Sequence, residues 1–273
     1  MPQSRIGRHR LLLVAGATVA ASTLTCAGLN AKSWPGIKTI RLPLPYRLGS
    51  VNCYLANTAN GYVLIDTGCA KQRADLDKEL ASAGCRPGDL KLVVLTHGDF
   101  DHTGNAAYLR NKFGARIAMH QGDSGMVEWG DMFWNRKKGN SLPRTIAPIL
   151  FGFGKAERFV PDLYVEDGDD LSTYGFAAQV LHLPGHSKGS IGILAASGAL
   201  SAGSGQTPLT DSGQILFCGD LLSNKDEPAL DDIIDDEAAA RASVERLKSL
   251  DISTACPGHG KPFPMEQFIK TNR

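Results

Sequence analysis

The sequence predicts an α/β fold in one large domain, on three observations. Apolar runs of strand length, at 61–65, 90–95, 178–183 and 214–217, each end abruptly in a polar turn. Segments with helical spacing lie among them, as at 71–82, where Leu76 and Leu80 share a face. The chain has 273 residues, enough for one large apolar core and too few for two ample ones.

Taken in order, residues 37–65 read as a β meander, with strands at 39–44 and 51–56 and a third ending at Asp66. The turn Ala59-Asn60-Gly61 carries Asn-Gly, a strong hairpin signal. A helix over 71–82 stops near Gly84, a strand precedes Thr96, a helix spans 104–113 and a short strand spans 115–119. Residues 121–165 lack clean periodicity but hold Met126, Trp129, Met132, Phe133, Trp134, Phe151 and Phe153. They read as an apolar lid or substrate wall, or else as a helical pair packed on the core. Residues 198–213, rich in Gly, Ser, Thr and Ala, read as a surface loop between strands. The acidic run 231–236 reads as a solvated cap ahead of a helix over 237–250, since negative charge favours a helix N-terminus.

With 29 basic and 28 acidic residues the formal charge is +1, and no Lys/Arg stripe runs along the chain, which excludes a nucleic-acid partner. The cysteines at 26, 53, 69, 85, 218 and 256 form no Cys-x-x-Cys pair and read as single buried thiols. Cys218 and Cys256 sit beside turns of interest and have an alternative reading as neighbours of the site. Arg5, Arg8, His9 and Arg10 precede a mildly apolar run over 11–29, and small Ala31 marks a cleavage edge. Residues 1–31 are thus expected to be an export signal, giving a periplasmic or secreted protein whose domain is 35–273. A retained membrane anchor and a disordered extension of a cytoplasmic protein are the alternatives.

The chemistry concentrates in Thr96-His97-Gly98-Asp99-Phe100-Asp101-His102, directly after an apolar run. Imidazoles and carboxylates are the donors that zinc, iron and manganese accept, and donors this close serve one compact site. Four further residues stand in Gly-flanked turns: Asp66 before Thr67-Gly68, His186 after Gly185, Asp220 after Gly219, and His259 between Gly258 and Gly260. Glycine lets the backbone turn sharply beside an ion. His9, His120 and His182 fall outside the pattern and read as a charge of the basic N-terminal stretch, an edge residue and a strand residue.

In this order of motifs, from Asp66 to His259, the chain resembles the metallo-β-lactamase superfamily. The resemblance implies a four-layer αββα sandwich of two mixed sheets with helices outside. It also implies one metal at His97, Asp99 and His186, a second at Asp101, His102 and His259, and Asp220 bridging them. Two such ions about 3.5–4 Å apart share a hydroxide that attacks a small ester, lactone, thioester or amide. Asp66 would aim a ligand imidazole, and is grouped with Asp101 as catalytic; Lys188 reads as a surface lysine ahead of a substrate anchor. One position departs from the family: Asp99 stands where an imidazole is usual. A carboxylate there turns preference from zinc toward iron or manganese. The alternatives are an iron oxidoreductase resembling persulfide dioxygenases and a binding protein with a relict site.

Overall fold

Two mixed β-sheets face each other with helices on both outer sides, in a computed structural model that describes residues 36–137, 141–196 and 213–272. The expected export segment, all but the last residue of the expected loop over 198–213, His9 and Cys26 lie outside the described residues. Among the described residues no helix is long and apolar enough to cross a membrane.

The first sheet runs in chain order: β1 (Ile37–Pro43), β2 (Ser50–Thr58), β3 (Gly61–Ile65), β4 (Leu90–Val94), β5 (Arg116–Met119) and β6 (Leu163–Tyr164). It begins as the expected antiparallel meander and continues in parallel from β3 to β6. The second sheet has the order β13-β12-β9-β8-β7, from β7 (Ala178–His182), β8 (Ile191–Ala196), β9 (Gln214–Gly219), β12 (Ile252–Pro257) and β13 (Phe263–Pro264). A small ladder joins β10 (Leu222–Ser223) to β11 (Ala229–Leu230).

Side-chain alternation sorts the apolar runs into three layers. Val63, Ile65, Leu92 and Val94 meet Val180, Ile193, Ile215 and Phe217 between the sheets. Leu64 and Val93 point the other way, toward α1 (Arg73–Ser82) and α3 (Ala106–Phe113). Leu216 and Cys218 point toward α6 (Glu237–Lys248) and α7 (Met265–Thr271). A strand covered on both faces reads as a continuous apolar run, which is why these segments lack a polar alternation. This is the expected αββα arrangement.

Three expectations are refined. The metal loop runs straight into a single helical turn, α2 (Phe100–Thr103), because the Asp99 carbonyl accepts the N–H groups of His102 and Thr103, both at 3.0 Å. Residues 121–165 hold α4 (Gln121–Trp129) and α5 (Ser141–Phe151), whose Val127 and Ala147 join the core while Phe153 stacks on Phe100 with centroids 4.1 Å apart. In the acidic run, Asp236 caps α6 by accepting the Ala239 N–H, but Asp231 is buried and ion-paired to Lys225 at 3.3 Å rather than solvated. Its carboxylate serves the loop, not the helix dipole.

His120 is more than an edge residue. Its Nδ1 accepts the Gly122 N–H at 3.0 Å as the N-cap of α4, and its ring stacks on His182 at 4.2 Å. Burial, then the His182 ring, lowers its pKa below the usual imidazole value. The folded state therefore favours neutral His120, so its contribution is full above the unfolded pKa of about 6.5 and declines as pH falls below it. His120→Asn keeps an acceptor and removes the proton site. The drop in melting temperature from pH 8 to pH 5 is expected to be smaller in that variant than in the parent protein; an equal or larger drop would refute the role.

Candidate metal centre

The donors gather because every loop carrying them leaves the same edge of the paired sheets. Asp66 follows β3, the 96–102 segment follows β4, His186 follows β7, Asp220 follows β9 and His259 follows β12. Backbone hydrogen bonds lock the loops together. The Ile191 N–H reaches the Thr96 carbonyl at 2.8 Å, and the Gly258 N–H reaches the Gly219 carbonyl at 2.8 Å. Asn52 on β2 donates its side-chain amide to the Pro257 and Gly260 carbonyls, fastening the first sheet to the His259 turn of the second.

Donor atoms of His97, Asp99 and His186 lie within 4.8 Å of one another, as do those of Asp101, His102 and His259, and of His97, His102 and Asp220. Asp220 stands between the two outer groups: its Oδ2 is 3.3 Å from His102 Nε2, 3.1 Å from His259 Nε2 and 3.8 Å from His97 Nε2. Asp101 Oδ2 approaches His259 Nε2 at 3.4 Å, and Asp99 Oδ2 approaches His186 Nε2 at 3.2 Å. All the predicted site residues thus come together.

Tautomers follow from the hydrogen bonds. Asp66 accepts the Thr96 N–H on Oδ1, and the Thr96 hydroxyl and His102 Nδ1–H on Oδ2, each at 2.8 Å. With its only proton given to Asp66, the Thr96 hydroxyl accepts from His97 Nδ1 at 2.9 Å. His259 Nδ1 donates to the Ser50 carbonyl at 2.8 Å. Each of these imidazoles therefore keeps its Nδ1 proton outward and turns Nε2 inward, the nitrogen left for a metal once any proton on it is displaced. His97 Nε2, His102 Nε2 and Asp220 Oδ1 are buried without a hydrogen-bond partner. Orphaned buried acceptors are costly, and a divalent cation is what this donor set fits.

The field agrees. Burial resists charging His102 and His259, yet the carboxylates of Asp220 and its neighbours outweigh it, raising His102 well above the usual imidazole value and His259 to about 11. Such a pocket attracts cations. His97 shifts the other way, because burial and then the neighbouring His102 and His186 disfavour its charged form.

Close packing leaves no room for substitution. Asp66 itself sits at φ 59°, a left-handed conformation that Asp tolerates better than most residues. A Cβ on Gly258 would lie 2.1 Å from Asp220 Oδ1 and 2.7 Å from His102 Cε1, so this turn admits only glycine. The cysteines stay out: Cys218 Sγ faces the Cys256 carbonyl at 3.7 Å within the apolar layers, and burial pushes both thiols up, away from thiolate. Lys188 is exposed, as its surface reading requires.

Sequence reasoning missed two groups. Asp123, fully buried in the first turn of α4, accepts the Gly98 N–H at 3.0 Å, the Ser187 hydroxyl at 2.5 Å and the Gly189 N–H at 2.8 Å. It braces the His97–Asp99 loop against the His186 loop. In the sequence it looks like an ordinary acid near a helix N-terminus. Arg136 donates from one nitrogen to Asp99 Oδ1 at 2.8 Å and to His186 Nε2 at 3.1 Å. Burial opposes the charge of Asp99, but Arg136 beside it holds the carboxyl far below the usual range. The guanidinium cancels the extra charge expected of Asp99, leaving only its harder oxygen to weigh against zinc. Of the aromatics in this region, Trp129 is 63% exposed and Phe133 packs against the core, so Arg136 is the side chain there seen to touch the donors.

A four-layer fold with this cluster at one edge defines a metallo-hydrolase. The family model of the metallo-beta-lactamase superfamily matches residues 46–200, and the chain belongs to that superfamily. A hydroxyacylglutathione hydrolase of Haemophilus influenzae is 35% identical over 107 residues, a match covering 39% of this chain and 44% of that protein's length. A probable metallo-hydrolase of Bacillus subtilis is 27% identical over 86% of this chain and 74% of its own, and an acyl-coenzyme A thioesterase of Bos taurus 25% identical over 76% and 67%. Among solved structures, a metallo-beta-lactamase family protein of Thermus thermophilus superposes with a TM-score of 0.62 at 23% identity, covering 86% of this chain and 78% of that one. A subclass B3 metallo-beta-lactamase of Bradyrhizobium japonicum gives 0.60 at 20% identity, covering 83% and 76%. These likenesses show the fold.

Proposed function

We propose that the protein hydrolyses a small ester, lactone, thioester or amide with the aid of divalent metal, zinc in the first place. The observation that carries this is the set of buried atoms His97 Nε2, His102 Nε2 and Asp220 Oδ1, clustered with no hydrogen-bond partner. The bovine relative named as a thioesterase puts thioesters first among the substrates. When bound, the metal supplies an activated water at neutral pH and a Lewis acid for the carbonyl oxygen.

The chain's own contribution is position. Asp66 fixes His102 and, through Thr96, His97; the Ser50 carbonyl fixes His259. Asp220 lies where it can serve both donor groups, and Asp101 closes the group around His259. Iron or manganese is the second choice, on the carboxylate of Asp99.

The test is elemental analysis of protein purified without added metal, followed by thioester, lactone, ester and amide panels. Zinc or manganese with acid release supports the proposal. No turnover in any metal form would defeat it, and oxygen consumption by an iron form would replace it with oxidative chemistry. We also propose export, on Arg5, Arg8 and Arg10 ahead of the apolar run. A native N-terminus near Lys32 is expected, and intact Met1 in the cytosolic fraction would refute it.

A further inference from the structure

We propose that Arg136 is a built-in cation at the His97–Asp99–His186 group, so that the centre takes one divalent ion tightly at Asp101, His102, His259 and Asp220, and a second only in competition with the guanidinium. The proposal rests on the metallo-hydrolase reading above and concerns how many ions the centre holds.

The competition is for one lone pair. A neutral imidazole has a single unprotonated ring nitrogen. In His186 the Nε2 lies 3.1 Å from Arg136 and 3.2 Å from Asp99 Oδ2, while Nδ1 is buried with no partner; Nε2 either accepts from the guanidinium or donates its own proton to Asp99, and in neither case is its lone pair free. A lone pair that accepts from the guanidinium cannot at the same time bind a metal. Arginine does not shed its proton in proteins, so deprotonation offers no escape. The guanidinium nitrogen of Arg136 that faces His186 also donates to Asp99 Oδ1 at 2.8 Å, which places a fixed positive charge against two of the three donors of that group. A second ion there would meet a like charge.

Arg136 is placed rather than adrift. Its side chain is 5% exposed. The preceding Trp134 lies flush on α4 at Gly125, where an added Cβ would come within 2.4 Å of the indole, and the Asn135 amide donates to the Gly122 carbonyl. On the other side, the Lys137 N–H donates to the Asp235 carboxylate at 2.9 and 3.1 Å. The N–H groups of Asp235 and Asp236 in turn both donate to the carbonyl of Gly185, next to His186. The strap that carries Arg136 is thus tied to the helix of Asp123 and to the loop of His186.

The other group has no such rival. Among the described residues no lysine or arginine pairs with Asp101 or Asp220, and the Nε2 atoms of His102 and His259 converge on Asp220. The two halves of the centre are therefore unequal by construction.

The test titrates chelator-stripped, full-length protein with Zn²⁺ and separately with Mn²⁺, reading bound metal by equilibrium dialysis and elemental analysis. The parent protein is expected to bind one ion, with the second weaker by about 100-fold, the upper end of what a neighbouring group exerts on metal affinity. Arg136→Ala should bind two ions whose affinities differ by no more than about 10-fold. Arg136→Gln retains an N–H donor for Asp99 without the charge, and should behave like Arg136→Ala even if the smaller residue disturbs folding. Two equal ions in the parent, or one ion in both variants with folded circular dichroism, overturns the inference while leaving the metallo-hydrolase reading intact. No metal in any of the proteins overturns both.

Discussion

Asp220→Ala is expected to abolish tight metal binding and to reduce hydrolysis by more than about 100-fold, beyond what loss of an outer hydrogen-bond partner costs a metal enzyme. The reason is its position. Its Oδ2 lies within 3.8 Å of the inward nitrogens of His97, His102 and His259, so this one carboxylate faces three imidazoles drawn from both donor groups. Its own carboxyl is held well below the usual range because the charges of His259 and His102 outweigh the cost of burial. Asp220→Asn keeps the size and removes the charge, which separates electrostatics from packing. Elemental analysis and turnover on the most active substrate of the panel check the result; full metal content with ordinary turnover in both variants would remove Asp220 from the centre.

Asp123→Ala is expected to destabilise the fold by several kcal/mol, since it strands two buried N–H donors at about 1–3 kcal/mol each and leaves the Ser187 hydroxyl only Ser190 Oγ, at 2.7 Å. The groups bonded to Asp123 are the Gly98 N–H, the Ser187 hydroxyl and the Gly189 N–H, one from the His97–Asp99 loop and two from the His186 loop. Freed from each other, the loops should let metal affinity fall by about 10–100-fold as well. Asn is no remedy, because one of its side-chain atoms donates where the carboxylate accepts. Thermal melting and metal titration measure the two effects separately. A variant that melts within about 1 °C of the parent, where 1 kcal/mol moves the midpoint of a chain this size by about 2–4 °C, would show that other contacts hold the loops.

Much of the centre was legible because its chemistry is local. His97, Asp99, Asp101 and His102 fall in one loop, and Asp66, His186, Asp220 and His259 each follow a strand in a glycine-marked turn. Donor residues in such turns announce themselves by type and by what precedes them. Asp123 and Arg136 carry no such mark. Asp123 acts on residues 25 and 64 positions away, and Arg136 on residues 37 and 50 positions away. Nothing adjacent to either in the chain hints at the partner.

The sequence by itself determined the strands, since apolar runs such as 61–65 and 214–217 must be buried on both faces, and it determined the donor residues at their ends. Hydrophobic periodicity and turn chemistry act between near neighbours, so they survive in a linear reading. Only the tertiary structure decided which nitrogen of His97, His102 and His259 points inward, because Asp66 and Ser50 come from other strands, and Thr96, though next to His97, has its own proton directed by Asp66. It also decided that Asp99 faces a guanidinium, which cancels the charge that the sequence alone would assign to that position. Charge and proton placement depend on distances of a few ångströms between remote segments, and those distances exist only once both sheets have closed on each other.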